Sequence, residues 1–113
     1  MIVIENNNIG FSVLKKLQDK EYPNIYYSSK GDHRYVDPVS AQWRSNVIPG
    51  FTTSSKTRPL IVAKMEEFVR NKLITINSNR LLSEFKTFIW KNGRPQAMRN
   101  YNDDLTMSFA IGC

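Results

Sequence analysis

Met1-Ile2-Val3-Ile4-Glu5-Asn6-Asn7-Asn8, followed by Ile9, Val13, Leu14 and Leu17 at helical spacing, is the stretch on which the fold turns. The first five residues are a continuous apolar run rich in β-branched side chains, ended by an acid. That pattern predicts a buried strand of the parallel type. Ile9, Val13, Leu14 and Leu17 then share one helical face, with Lys15, Lys16 and Gln18 on the other. Tyr22-Pro23-Asn24 breaks the helix, and Ile25-Tyr26-Tyr27 reads as a second strand. Strand, helix and strand in this order make a βαβ unit, which implies a right-handed crossover and a parallel sheet. The fold class expected is α/β, a mixed sheet flanked by helices.

Outward from that unit the signals vary. Residues 29–55 carry no period and include Gly31, Pro38, Pro49, Gly50 and Thr52-Thr53-Ser54-Ser55, so they read as a long loop of the functional or mobile kind. Pro59 suits the first turn of a helix whose face continues through Ile61, Met65, Phe68, Val69 and Lys72. Leu73-Ile74-Thr75-Ile76 reads as a short strand. Ser78 is placed to cap a helix carrying Leu81, Leu82 and Phe85. Thr87-Phe88-Ile89-Trp90 followed by Asn92-Gly93 signals a hairpin, because Asn-Gly supplies the positive φ angles of a tight turn. Asn102 then suits the N-cap of a last helix with Leu105, Phe109 and Ser108 on one face.

A chain of 113 residues suits one domain with a modest core. Its 41% hydrophobic and 12% aromatic content indicates a folded protein. Sixteen Lys+Arg against ten Asp+Glu give a formal charge of +6 and a pI near 9.6, which favours a polyanionic partner over a neutral small molecule. The single cysteine, Cys113, is terminal and forms no internal disulfide, so a reducing compartment is expected. No apolar stretch approaches the roughly 20 residues that cross a bilayer, and the start lacks the features of a secretion signal. An intracellular, soluble protein without a membrane partner is the expectation.

Several chemistries are absent from the sequence. There is no GxxxxGK[ST] phosphate loop, so ATP hydrolysis is not expected of this chain. One His and one Cys do not make a zinc site. His33 lies in the polar loop and reads as a solvated imidazole. Cys113 lacks the partners of a nucleophile. Lys86, Lys91, Arg94 and Arg99 occupy a stretch without an intervening acid; Lys30, Arg34, Arg44, Lys56 and Arg58 punctuate the long loop against Asp32 and Asp37. These cations read either as a solvated surface or as phosphate contacts. Trp43 and Trp90 read as packing residues rather than base-stacking platforms.

The carboxylates carry the remaining chemistry. Asp103-Asp104 stands where a helix should begin, and two readings fit it: acids stabilised by the helix dipole, or metal ligands. Glu5, at the end of a strand read as buried, is poorly placed for packing, because burying a charge is costly unless it is paired or metal-bound. Carboxyl ends of strands are also where open α/β sheets put ligands. A strand-end Glu and helix-start Asp supply the hard oxygen ligands that Mg²⁺ or Mn²⁺ prefers.

Ile2-Val3-Ile4-Glu5-Asn6-Asn7-Asn8-Ile9-Gly10, with Val13-Leu14 following, resembles the second catalytic strand in the large terminase subunit of tailed bacteriophages. Thr57-Arg58-Pro59, then Phe85-Lys86-Thr87-Phe88, and finally Tyr101-Asn102-Asp103-Asp104-Leu105-Thr106-Met107-Ser108 resemble later parts of the same domain in the same order. The resemblance, to the T-even-like myophage type, covers nearly the whole chain and is most specific at its ends. It implies a nuclease of ribonuclease H-like fold that cuts concatemeric viral DNA with divalent metal ions. It further implies that Glu5 and Asp104 are catalytic metal ligands, with Asp103 assisting the metal or capping the helix. Lys56, Arg58, Lys91 and Arg94 would contact the DNA backbone. The partners implied are double-stranded DNA, the terminase ATPase domain, the portal and the small terminase subunit. The setting implied is the host cytoplasm, transiently at the procapsid portal.

The departures from the family are as informative. Its first catalytic Asp lies on an earlier strand, upstream of Met1, and its ATPase and C-terminal extension have no counterpart in these 113 residues. The expectation is therefore the later portion of a nuclease domain, lacking the first strands and holding an incomplete metal site. As an isolated chain it would be weakly active or inactive. A non-catalytic DNA-binding or assembly piece that complements another terminase chain is the alternative, and a remnant that does not fold stably alone is a third.

Overall fold

Tyr27–Ser29 (β1) organises the first half of the molecule. It pairs antiparallel with Tyr35–Val36 (β2) through Tyr27↔Val36 and Ser28↔Tyr35. On its other edge it pairs antiparallel with Val47–Pro49 (β3) through Tyr27↔Pro49, Ser28↔Ile48 and Ser29↔Val47. The computed structural model describes every residue except Asn92, and the chain divides into two compact units, Met1–Thr53 and Ser54–Cys113. Both combine helices with short strands, so the chain is of mixed α/β character.

In the first unit the N-terminal run bridges in parallel to both neighbours, Ile2 to Ile25 and Glu5 to Phe51. Ile2 N donates to Asn24 O (2.8 Å) and Tyr26 N to Ile2 O (2.9 Å); Phe51 N donates to Ile4 O (2.8 Å). Around helix Ile9–Asp19 (α1) the chain thus returns parallel to the N-terminal run at the isolated Ile2↔Ile25 bridge, but residues 1–5 form no regular strand and the β1–β3 sheet is antiparallel, so the expected βαβ unit with a parallel sheet is not formed. Nor is the run buried. Ile2, Val3 and Ile4 are half-buried, and Met1 and Glu5 are exposed. A fully buried parallel strand needs cover on both faces, and α1 is the one long helix of this unit.

The face of α1 also differs from the expected one. Leu14 is fully buried and Leu17 half-buried, whereas Ile9 is 81% and Val13 41% exposed. Gly10 explains the rotation. A Cβ there would collide with the Glu5 carbonyl, so the helix lies on the strand end through its glycine and turns the Gly10-Leu14-Leu17 stripe inward. The core of this unit is Leu14, Ile25, Val36 and Phe51, and the Tyr26 ring makes tilted contacts with Tyr35 (5.3 Å) and Phe51 (6.5 Å between ring centroids). Gly50, at φ +82°, lets the chain reverse after β3; a Cβ would meet Leu14 Cδ1 at 2.6 Å.

Residues 29–55 are not one long loop. They contain β2, β3 and the short helix Pro38–Ala41 (α2), whose N-cap Asp37 accepts from Ser40 N at 2.9 Å. Strands of two and three residues are too short to show a period.

The second unit is built from Thr57–Arg70 (α3), Asn79–Lys86 (α4), Phe88–Lys91 (β4), Arg94–Ala97 (β5) and Asp104–Gly112 (α5). Ser54 and Thr57 exchange hydrogen bonds at the start of α3, and Pro59 sits in its first turn as expected. Val62, Met65, Met107 and Ala110 form the core, with Phe85 and Phe109 packed edge to face at 6.1 Å. Ser78 caps α4 by accepting from Leu81 N (3.2 Å). β4 and β5 pair as the expected hairpin, Lys91 opposite Arg94, with Gly93 at φ +74°. Asn92, the other half of the turn signal, lies outside the described residues.

Two expectations fail in this unit. Lys72 lies beyond the end of α3 at a positive φ of 56°, where the helix has stopped. Leu73-Ile74-Thr75-Ile76 is irregular rather than a strand, and Leu73 is 63% exposed; among the described residues no strand pairs with it. Among the described residues no helix is long and apolar enough to cross a membrane.

Candidate functional site

The acidic pair sits at the start of α5, but the helix is not capped as the sequence predicts. Asn102 lies before the helix; Asp103 occupies the N-cap position and makes no capping bond with its own side chain. The cap comes from α4. Glu84 Oε1 accepts from Thr106 N (2.9 Å) and Thr106 Oγ1 (3.1 Å), and Oε2 lies 3.4 Å from Leu105 N. One carboxylate from another helix thereby satisfies two of the amides a first turn leaves open, where the dipole favours negative charge. The inward residues of α5 are accordingly Thr106, Met107 and Ala110, while Leu105 and Phe109 are half-buried and Ser108 exposed.

Asp103 is engaged elsewhere. Its carboxylate forms an ion pair with Arg58 Nη2, and Arg58 Nε donates to Pro95 O at 2.7 Å. About a quarter of each side chain is exposed, 24% for Arg58 and 26% for Asp103. Arg58 therefore ties the start of α3 to β5 and to the entry of α5. It is a structural tie, not the free phosphate contact expected of it; Lys56, Lys91 and Arg94 are exposed.

Asp104 lies between these two anchors. Arg58 holds the residue before it and Glu84 the two residues after it. The Asp104 side chain is exposed and has no hydrogen-bond or ion-pair partner among the described residues. Of the two acids, Asp104 is the one whose carboxylate is exposed and unpaired among the described residues.

Glu5 belongs to the first unit. Its backbone is fixed by the bridge to Phe51, and its carboxylate is exposed and accepts from Asn7 Nδ2 at 3.2 Å. The desolvation cost inferred from a buried strand end does not arise, because the strand end is open to water. Asn6 is structural: its Nδ2 donates to Pro49 O (3.1 Å) and Thr52 Oγ1 (2.9 Å). Asn8 takes a positive φ of 47° just before α1. Among the described residues no group of three or more His, Cys, Asp and Glu side chains converges to hold a metal ion.

The tryptophans also depart from the packing roles read for them. Trp43 is 84% exposed and Trp90 59%. His33 is half-buried at a positive φ of 56°, and its Nδ1 has no partner among the described residues. Glu84 was invisible to pattern reading because the groups it caps lie 21 and 22 residues away.

Comparison with protein-family models, with curated proteins and with solved structures finds no match to this chain.

Proposed function

We propose that the chain is the metal-dependent endonuclease module of a viral DNA-packaging terminase, the later portion of a ribonuclease H-like nuclease domain. The observation that carries the reading is Asp104, an exposed and unengaged carboxylate fixed between two anchors, at the position where the ordered terminase resemblance calls for an acid. Asp103, the other acid of the pair, is engaged with Arg58. Glu5 and Asp104 supply hard oxygen donors suited to Mg²⁺ or Mn²⁺. A divalent ion, held through these acids, would supply an activated water and stabilisation of the leaving oxygen of the phosphodiester. Lys56, Lys91 and Arg94 bind the DNA backbone; Arg58 and Glu84 hold the polypeptide on either side of Asp104. The rest of the terminase, the portal and the small subunit are the proposed assembly partners, in the host cytoplasm.

Weak Mg²⁺- or Mn²⁺-dependent nicking of supercoiled plasmid is the expected activity, and Mn²⁺ titration of the purified chain tests its ligands. Asp104→Asn should abolish both. Robust cutting that survives Asp104→Asn or Glu5→Ala sinks the assignment. The three exposed cations also support a second reading, a DNA-binding piece that complements another chain. Salt-dependent DNA binding without metal-dependent cutting, unchanged by loss of either acid, would favour it.

A further inference from the structure

Lys30 N donates to Asn46 O at 2.8 Å, and Ser29 lies opposite Val47 at the end of the β1–β3 ladder. The turn through residues 30–34 and the segment through residues 43–46 therefore emerge from the same end of the sheet. Lys30, Arg34, Trp43 and Arg44 are all exposed there. Trp43 is the most exposed large apolar residue of the chain, at 84%, although its backbone is fixed by a hydrogen bond from its N–H to Ser40 O (3.1 Å). A single exposed ring is ordinary on a protein surface. What sets this one apart is the charge around it.

The two acids of the region are both committed internally. Asp32 accepts from Ser29 Oγ and pairs with Arg34 Nε at 3.3 Å; Asp37 caps α2 through Ser40. These hydrogen bonds, first from Ser29 and from Ser40 respectively, hold both carboxyls below the usual aspartate range. The Arg34 pair is solvent-exposed and restrains the arginine little. Lys30 and Arg44 have no carboxylate partner among the described residues. The result is an exposed indole on a hydrogen-bonded backbone, with Arg44 next to it in the chain and Lys30 and Arg34 in the turn at the same end of the sheet, the pairing that single-stranded nucleic acid binders use: stacking for the base, charge for the backbone.

We propose that this end of the first unit binds single-stranded nucleic acid, the Trp43 ring stacking on an unpaired base while Lys30, Arg34 and Arg44 contact the flanking phosphates. Unpaired bases are the specific ligand because a duplex hides its base faces within the stack. The proposal shares with the nuclease reading only its polyanionic partner and does not rest on cutting or on metal.

Fluorescence anisotropy with labelled oligothymidylate of about 12 nucleotides, within the span of such sites, tests it on the full chain without metal. Trp43→Ala should weaken binding roughly five- to a hundred-fold, while Trp43→Phe, which keeps a ring, should stay within about three-fold of the parent. In a Trp90→Phe background, quenching of the remaining indole should report the stack directly. Replacing Lys30 and Arg44 by Gln should flatten the salt dependence, by roughly 0.7 in log–log slope per lost contact. Equal effects of Trp43→Ala and Trp43→Phe, or a duplex bound as tightly as the single strand regardless of residue 43, would overturn the proposal. Absence of plasmid nicking alongside intact stacking would remove the nuclease reading and leave this site standing.

Discussion

At Gly10 two small effects oppose each other, and their sizes decide the outcome. Alanine is the better helix former by about 1 kcal/mol. Its methyl group, however, would collide with the backbone carbonyl of Glu5, and backbone does not yield as a flexible side chain does. Overpacking of this kind costs about 1–3 kcal/mol or more, so Gly10→Ala should lower the urea midpoint of the first unit despite its helix preference. An unchanged or raised midpoint would show that α1 does not rest on the strand end. Asp32 and Asp37 make a second prediction. Their folded-state pKa values are depressed by Ser29 and Ser40, so their contribution is present above the unfolded aspartate pKa of about 3.9 and is lost as pH falls through the lower folded values. Carboxyl ¹³C titrations should give midpoints below that reference for both residues, and Ser29→Ala should raise that of Asp32.

At the scale of elements, α5 depends on α4 for its first turn. Glu84→Ala would leave Thr106 N–H and Oγ–H without their acceptor in a fully buried setting, at a cost of about 1–3 kcal/mol. Glu84→Gln keeps an acceptor and loses the charge, so it should fall between Ala and the parent. Amide hydrogen exchange at Leu105 and Thr106 checks this: faster exchange in the Ala variant is expected, and equal exchange in all three would refute the cap. Elements with strong local chemistry were legible in the sequence: α1, α3, α4 with its Ser78 cap, and the β4–β5 hairpin. Others were not. β2, α2 and β3 are too short to carry a period, and Leu73-Ile74-Thr75-Ile76 has strand-forming residues but pairs with no strand among the described residues. Asn102 looked like a cap because its neighbours have helix preferences; the actual acceptor arrives from another helix.

For the whole molecule, the two proposed metal ligands lie in different units, Glu5 in Met1–Thr53 and Asp104 in Ser54–Cys113. If they serve one reaction, their losses are not additive. Glu5→Ala, Asp104→Ala and the double variant should reduce plasmid nicking to the same floor, and a double variant much weaker than either single one would indicate independent roles. Of the candidate site only the acids themselves are plain in the sequence, and the preference for Asp104 over Asp103 comes from the resemblance. The acids' surroundings are not plain there, and the same holds for Trp43. By itself the sequence determined the helix and hairpin periods, the mixed α/β class and a charge of +6, because these follow from local stereochemistry and composition. Only the tertiary structure decided that Arg58 is tied to Asp103 across 45 residues, that Glu84 caps α5, and that Glu5 and Trp43 face water. Pairing and exposure depend on which distant groups the fold brings near, and no local pattern records that.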